Sequence, residues 1–286
     1  MEENEWRQLV DEQKQAAYRA FVGLGVHKQG GPPGEAYHLI SGFVFSVHDR
    51  WVWVSSAHAF VGHGDDRGLF ALMEEFPETK IELQPVSQTK SKPTFFSIFR
   101  NNWITIDSIA EELKDRIPAG DYQALKDSDL IAVILPELYV QNLQAEGVKP
   151  FTWTQVCDMP DDEHMELLRG RTLTIMILGV PSSGSLFNHV SGLTSLQILC
   201  LPIEPASESL PFSYWHPTWS DQELSHNVVG TSGGPIMLLG AHQPFIMGVQ
   251  ISQKKANGNV VYKSVSGYFF FDIIAKLIKL DYPDQS

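Results

Sequence analysis

Cysteine is scarce: Cys157 and Cys200 are the two in a chain of 286 residues. A small secreted scaffold held together by several disulfides is thereby excluded. Positive charge is also short, with 21 Lys and Arg against 34 Asp and Glu and a net charge of −13. Phosphate backbones and anionic headgroups are bound by clustered Lys and Arg, so neither nucleic acid nor a membrane surface is an expected partner. No apolar run reaches the roughly 18 residues that a membrane-spanning helix needs. The opening stretch MEENEWRQLVDEQKQ is acidic and polar, without the basic and apolar regions of a secretory leader. The expected setting is a reducing cytoplasm. Internal repeats and low-complexity segments are missing too.

What is present is core-forming material, 43% apolar against 19% charged residues. At roughly 150 residues per domain the length predicts about two domains. The first segment reads as a helix, because Trp6, Leu9, Val10, Ala16 and Ala17 recur near i, i+3, i+4 spacing. Such a helix either packs on the body or serves as a partner-docking arm, and packing is the simpler expectation. From residue 18 onward the chain breaks into short runs rich in Val, Ile, Phe, Tyr and Trp. HLISGFVFSV, RWVWVSSA, DLIAVILPELYV, TLTIMILGV, SLQILCLPI, PIMLLG, FIMGVQIS and VVYKSVSGYFFF are separated by Gly, Pro, Asp and Ser. Short turn-separated strands without regular helix alternation predict an all-β sandwich or barrel. Helical spacing is confined to Leu69–Phe76, to Ile109–Ile117 and to the tail around Phe270–Leu280, where Asp272 precedes Lys276 and Lys279 as the helix dipole favours. The polar stretch from Gln141 to Lys149 is the expected boundary between two strand-rich halves.

The chemistry-bearing signal is Gly230-Thr231-Ser232-Gly233-Gly234-Pro235. Glycines crowded around a serine allow backbone conformations other residues resist and let N–H groups converge on one small space. That is the arrangement needed to expose a nucleophilic oxygen and bind an oxyanion. The motif also fits the nucleophile elbow G-x-S-x-G, in which the acid and histidine follow the serine. Here 54 residues follow Ser232, too few for the rest of that sheet, and strand–helix alternation is lacking upstream. A serine needs a base, and His58 follows the apolar run WVWV in Ser55-Ser56-Ala57-His58, with Ser41-Gly42-Phe43-Val44-Phe45 ahead of it. The base needs an acid: Asp129 opens the apolar run Leu130–Leu135, and Asp127 is the fallback.

The sequence S-G-F-V-F…S-S-A-H, then D-L-I-A-V, then G-T-S-G-G-P resembles the chymotrypsin/trypsin-like serine protease family, in the order His, Asp, Ser. The GTSGGP and SGFVF forms, with LGVPSSG at Leu178–Gly184, are most similar to bacterial, HtrA-like trypsin-type domains. The resemblance spans roughly residues 18 to 280. It implies two antiparallel six-stranded β-barrels with an N-terminal helix over residues 1–17. The first barrel would span 18–145 with a helical insertion, and the second 146–286 with a C-terminal helix. The separations of 71 residues from His58 to Asp129 and 103 from Asp129 to Ser232 fit that order with an insertion in the first barrel. The implied activity is a serine endopeptidase working through an acyl-enzyme on Ser232, with His58 as base and Asp129 orienting it. Backbone N–H groups of Gly230 and Ser232 would form the oxyanion hole, and His226, Gln250, Ile251, Ser252 and Gln253 would bind substrate. No cofactor or metal is implied, and the partner is a protein or peptide substrate, with a regulatory protein as a further candidate. A latent, partner-switched binding module is the alternative class.

The resemblance has departures. Ala59 stands where secreted members carry a cysteine, and Thr231 stands where they carry an activation aspartate. Activation by N-terminal cleavage is therefore not expected, nor is Arg/Lys selectivity, for want of an acidic pocket floor. His58, His63, Asp65 and Asp66 lack the spacing of a zinc site. Asp158, Asp161, Asp162 and Glu163 read as a solvated loop or as a steering patch for basic peptides. Phe212, Tyr214, Trp215 and Trp219 read as barrel packing or as a peptide-binding rim.

Overall fold

The computed structural model of the chain describes residues 3–27, 37–60, 67–71, 95–97, 104–157, 173–180, 186–188, 193–195, 199–209, 211–218, 231–241, 243–256 and 259–281. Helix α1 (Glu3–Ala20) leads into β1 (Val22–His27), β2 (Tyr37–Ile40), β3 (Phe43–Val47) and β4 (Arg50–Ser56). A single helical turn, Ala57–Phe60, closes β4 and carries His58. Next come β5 (Arg67–Ala71), β6 (Phe95–Ser97), β7 (Ile104–Thr105), α2 (Ile106–Glu112), α3 (Ala119–Asp127), β8 (Leu130–Ile134), α4 (Glu137–Ala145) and α5 (Trp153–Cys157). The second half holds β9 (Thr174–Gly179), β10 (Leu186–Asn188), β11 (Leu193–Ser195), β12 (Leu199–Ser209), β13 (Phe212–Pro217), β14 (Pro235–Leu239), β15 (Phe245–Ala256), β16 (Asn259–Ser266) and α6 (Gly267–Asp281).

The mostly-β expectation holds, and every ladder among the named strands is antiparallel. In the second half β12-β13-β16-β15-β14-β9 closes into a six-stranded barrel, because β9 pairs with both β12 and β14. Its lumen is filled by Ile177, Leu201, Ile203, Trp215, Ile236 and Tyr262. The first half differs from the expected second closed barrel. Among the described residues its strands fall into a four-stranded sheet, β3-β4-β8-β7, and a six-stranded one, β11-β10-β2-β1-β5-β6. The two meet at one bridge, Phe21 to Phe43, rather than along a ladder. Gly42 makes that corner by accepting the Val22 N–H at 3.0 Å, with Trp53 Nε1 donating to Val22 O alongside. Strands β10 and β11 come from the far half of the chain and join through Phe187 and Tyr37.

Helix α1 packs on the body, with Val10, Ala17, Tyr18 and Ala20 buried. Buried Gln13 ties it to the β14–β15 connection, donating to Ala241 O at 2.6 Å and accepting the Gly240 N–H at 2.8 Å. The C-terminal helix is α6, whose Phe271 meets Phe43 and Phe45 edge-on and joins the two halves in one apolar core. Two helical expectations and one strand expectation change. The stretch from Leu69 does not begin a helix: Leu69 lies in β5, paired with Leu24 on one side and Phe96 on the other. Two-sided strand pairing satisfies its backbone and overrides the helical spacing. Residues 72–76 lie outside the described residues. The insertion helix starts at Ile106 and ends at Glu112, with Thr105 Oγ1 accepting the Ser108 N–H as its N-cap. The apolar run from Asp129 splits at Pro136, which has no N–H to continue β8 and stands at the N-cap of α4. No helix among the described residues is long and apolar enough to cross a membrane.

Candidate active site

The end of β4, the start of β8 and the turn before β14 meet at one seam. Asp129 is the residue that enters β8, and it does so with φ +54. A short polar side chain tolerates that left-handed region better than most, at a cost of order 1–3 kcal/mol. The corner is braced by Ser128, buried, whose hydroxyl donates to Leu125 O at 2.6 Å and accepts the Leu130 N–H at 3.2 Å. Forcing the backbone this way aims Asp129 at the turn after β4. Its carbonyl accepts the Ala57 N–H at 2.7 Å, and its carboxylate accepts the His58 N–H at 3.1 Å through Oδ1. Oδ2 meets His58 Nδ1 at 2.7 Å.

This bidentate grip fixes both the imidazole and the backbone that carries it. With Nδ1–H donated to the carboxylate, Nε2 is the nitrogen left to take a proton. The hydrogen bond to Asp129 raises the His58 pKa above its ordinary value; partial burial works the other way, and the carboxylate charge adds to the rise. The ring is 51% exposed and the carboxylate 40%, so solvent screens the pair in the free protein. Asp127, the fallback acid, lies on the exposed end of α3, where it accepts Gln123 Nε2 at 3.0 Å; the acid brought to His58 is Asp129.

Ser232 sits in a tight turn, half-buried, between buried Thr231 and buried Gly233. Gly234 N–H donates back to Thr231 O at 3.0 Å, and the backbone then docks on β15. Gly233 N–H donates to Gln250 O at 2.7 Å, and Gln250 N–H to Gly234 O at 3.0 Å. Gly233 adopts φ +92 because the turn presses against β4: a Cβ there would lie 2.5 Å from Ser55 Oγ and 2.9 Å from Ser56 N, and would strike Ser41 O. Ser55 and Ser41 are themselves locked, Ser55 Oγ donating to Ser41 O at 2.7 Å and Val180 N–H to Ser41 Oγ at 2.8 Å. The residue after Ser232 therefore rests on the strand that ends two residues before His58.

The other site expectations divide. Gln250 is buried beside the Ser232 turn. Ile251 turns its side chain into the large core, and the role the resemblance implies for it is one of backbone pairing. Ser252 is exposed and Gln253 half-buried after a bulge in the β15–β16 ladder. Trp215 packs in the barrel lumen and donates Nε1 to Ser264 Oγ at 2.8 Å, so it serves packing rather than a rim. His226, Gly230, Trp219, His63, Asp65, Asp66, the acidic run 158–163 and the Cys157 side chain lie outside the described residues. Sequence reasoning misses Ser41 and Ser128 as positioning residues. Their signals are a serine beside Gly42 at a strand corner and a serine between two aspartates. Cys200, on β12, packs against the large core, and desolvation pushes its thiol up to about 12, far from the range of a reactive thiolate.

No family model matches the chain, and no curated protein matches it. Among solved structures, the thermostable serine protease AL20 from an extremophilic microorganism is similar at a TM-score of 0.46 and 9% identity, over 91% of this chain and 97% of that one. A likeness of that size carries no argument about this chain's chemistry.

Proposed function

We propose that the chain is a serine endopeptidase of chymotrypsin-like architecture, with Ser232 as nucleophile, His58 as general base and Asp129 as the group that orients it. The observation that carries this reading is the pairing of His58 Nδ1 with Asp129 Oδ2 at 2.7 Å, on a strand end against which Gly233 is packed. His58 takes the Ser232 hydroxyl proton through Nε2 as Oγ attacks the scissile carbonyl. The resulting imidazolium is stabilised by the Asp129 carboxylate and returns its proton to the leaving amine. Water then repeats the sequence in reverse and frees the acid product. The Ser232 and Gly230 N–H groups receive the oxyanion. An exposed Ser252 and a partly exposed Gln253, on the part of β15 beyond its pairing with β14, offer substrate backbone a strand edge to lie along.

On this reading residues 1–17 are a packing helix, residues 18–145 the barrel half carrying His58 and Asp129, and residues 146–286 the half carrying Ser232. A dedicated cytosolic protein is the expected target. The test is Ser232→Ala beside fluorophosphonate labelling of the unaltered chain. The variant is expected to lose peptide hydrolysis while keeping its unfolding midpoint, and the label is expected on Ser232. Undiminished cleavage by the variant overturns the proposal.

A further inference from the structure

Acid is missing from a long stretch around Ser232. Between Glu223 and Asp272 the sequence holds no Asp or Glu, while Lys254, Lys255 and Lys263 all fall on the β15–β16 hairpin. In a chain of net charge −13 this ribbon is locally positive. The strand register sets two of its lysines on one face. Gln250 pairs with Ser264 and Gln253 with Tyr262, and Tyr262 fills the barrel lumen. Ser252 pairs with Lys263 and Lys254 with Val261, so Ser252, Lys254 and Lys263 stand on the outer face. Ser252 and Lys254 are exposed, and Lys263 is half-buried. The two lysines are diagonal neighbours across the ladder, a separation of about 7–8 Å. Like charges at that distance repel, and among the described residues no ion pair joins either ammonium to a carboxylate. The Lys263 ammonium rests over the Phe212 ring, 3.5 Å from its centre, a contact that supplies no oxygen acceptor for its N–H groups.

This face adjoins the Ser232 turn. β14 pairs with β15 as far as Pro235 and Val249, Gly233 and Gly234 clasp Gln250, and beyond Gln250 no described strand pairs with that side of β15. An extended chain laid on the open edge advances with β15 residue for residue, and Ser252 and Lys254 stand two and four residues along from Gln250. Resting on the endopeptidase reading, we infer that this edge takes an acidic substrate segment, with Lys254 and Lys263 binding an Asp or Glu side chain two to four residues from the bond that Ser232 attacks. A carboxylate seated between the two ammonium groups accepts hydrogen bonds from both and relieves their repulsion. A Gln side chain has the same reach without the charge, and a Lys side chain adds a third positive charge. Screening over about 8 Å at physiological salt means that a side chain on this edge meets the nearby lysines rather than the net charge of the whole chain.

The experiment starts from a peptide that the unaltered chain cleaves, drawn from a mixed fluorogenic library. Glu, Gln or Lys is placed in turn at each position two to four residues to either side of its scissile bond. kcat/KM is measured on the unaltered chain, on the double variant Lys254→Glu/Lys263→Glu and on Lys263→Arg, with fluorophosphonate labelling of Ser232 in the unaltered chain run alongside. At one or more of these positions the unaltered chain is expected to favour Glu over Gln by about threefold or more at low salt. That ratio should fall toward unity in about 1 M NaCl, where screening acts within about 3 Å. Lys263→Arg, which keeps the charge, should keep the preference, and the double variant should favour Lys over Glu. If Ser232 labels and peptides are cleaved, but Glu gains nothing over Gln at any position, the inference fails and the catalytic reading stands. A Glu preference that survives in the double variant overturns the inference in the same way. If Ser232 neither labels nor supports cleavage, the catalytic reading fails and takes this inference with it. Circular dichroism verifies that the variants fold.

Discussion

Gly233→Ala probes the geometry on which the site depends, the seating of the Ser232 turn against β4. Two separable costs follow from the structure. At φ +92 an L side chain is strained, by about 1–2 kcal/mol. The new Cβ would also meet Ser55 Oγ at 2.5 Å and Ser56 N at 2.9 Å, and strike Ser41 O. None of these can yield cheaply, because Ser41 and Ser55 are fully buried and hydrogen-bonded to each other. Overpacking of this kind costs about 1–3 kcal/mol, so the total is about 2–5 kcal/mol. Gly147 supplies the control. It closes α4 at φ +81 in a Schellman arrangement, with Gly147 N–H on Gln144 O and Val148 N–H on Leu143 O, and a Cβ there meets nothing within 4 Å. Gly147→Ala should therefore show the conformational cost alone, about 1–2 kcal/mol. Urea unfolding followed by tryptophan fluorescence gives both values. The difference, about 1–3 kcal/mol, is the steric share. At about 2 °C per kcal/mol for a chain of this size, Gly233→Ala should lower Tm by about 4–10 °C. It should also slow fluorophosphonate labelling, since Ser232 moves with the turn. If Gly233→Ala costs no more than Gly147→Ala, the Ser232 turn does not rest on β4, and the proposed pairing of Ser232 with His58 loses its support.

Three further outcomes are expected, two at the same site and one at Cys200. Catalysis needs neutral His58, and Asp129 raises its pKa above the ordinary 6.5, so kcat/KM should rise as pH passes through that raised value. In Asp129→Asn the His58 titration, read by NMR, should move to lower pH, and the rate should fall on the order of 10⁴-fold because the imidazole is then held in the wrong tautomer; an unmoved titration refutes the pairing. The same raised pKa stabilises the fold fully below pH 6.5, and that contribution is lost as pH rises through the folded-state value. Urea midpoints should show this slope in the unaltered chain and lose it in Asp129→Asn. Cys200, pushed up to about 12, is about 10⁻⁴ thiolate at pH 8, so in a Cys157→Ser background it should react with Ellman's reagent about three orders of magnitude more slowly folded than in urea. Equal rates would show an open thiol.

The catalytic candidates were legible because each rests on local sequence. Glycines flanking Ser232, the serines ahead of His58 and an aspartate at the mouth of an apolar strand are all short-range patterns. The terminal helices were legible for the same reason, since their apolar residues recur at helical spacing. Other elements were decided at a distance. Leu69 has helical neighbours in sequence but lies in β5, because Leu24 and Phe96 offer hydrogen-bonding strands on both sides. The irregularity between Gln250 and Ser252, which shifts the β15–β16 register, likewise has no local signal. Which aspartate serves His58 was also a tertiary decision. Asp127 and Asp129 are two residues apart, and the left-handed turn at Asp129, braced by Ser128, is what brings one carboxylate onto the ring and leaves the other in solvent.

Sequence alone therefore determined composition, strand richness and the residue types available for chemistry, because these depend on side-chain identity and short-range periodicity. Only the tertiary structure decided barrel closure, the meeting of both halves around Ser41, Ser55 and Gly233, and the burial of Gln250. Those depend on which strands find each other across long stretches of chain, and no local pattern encodes that pairing.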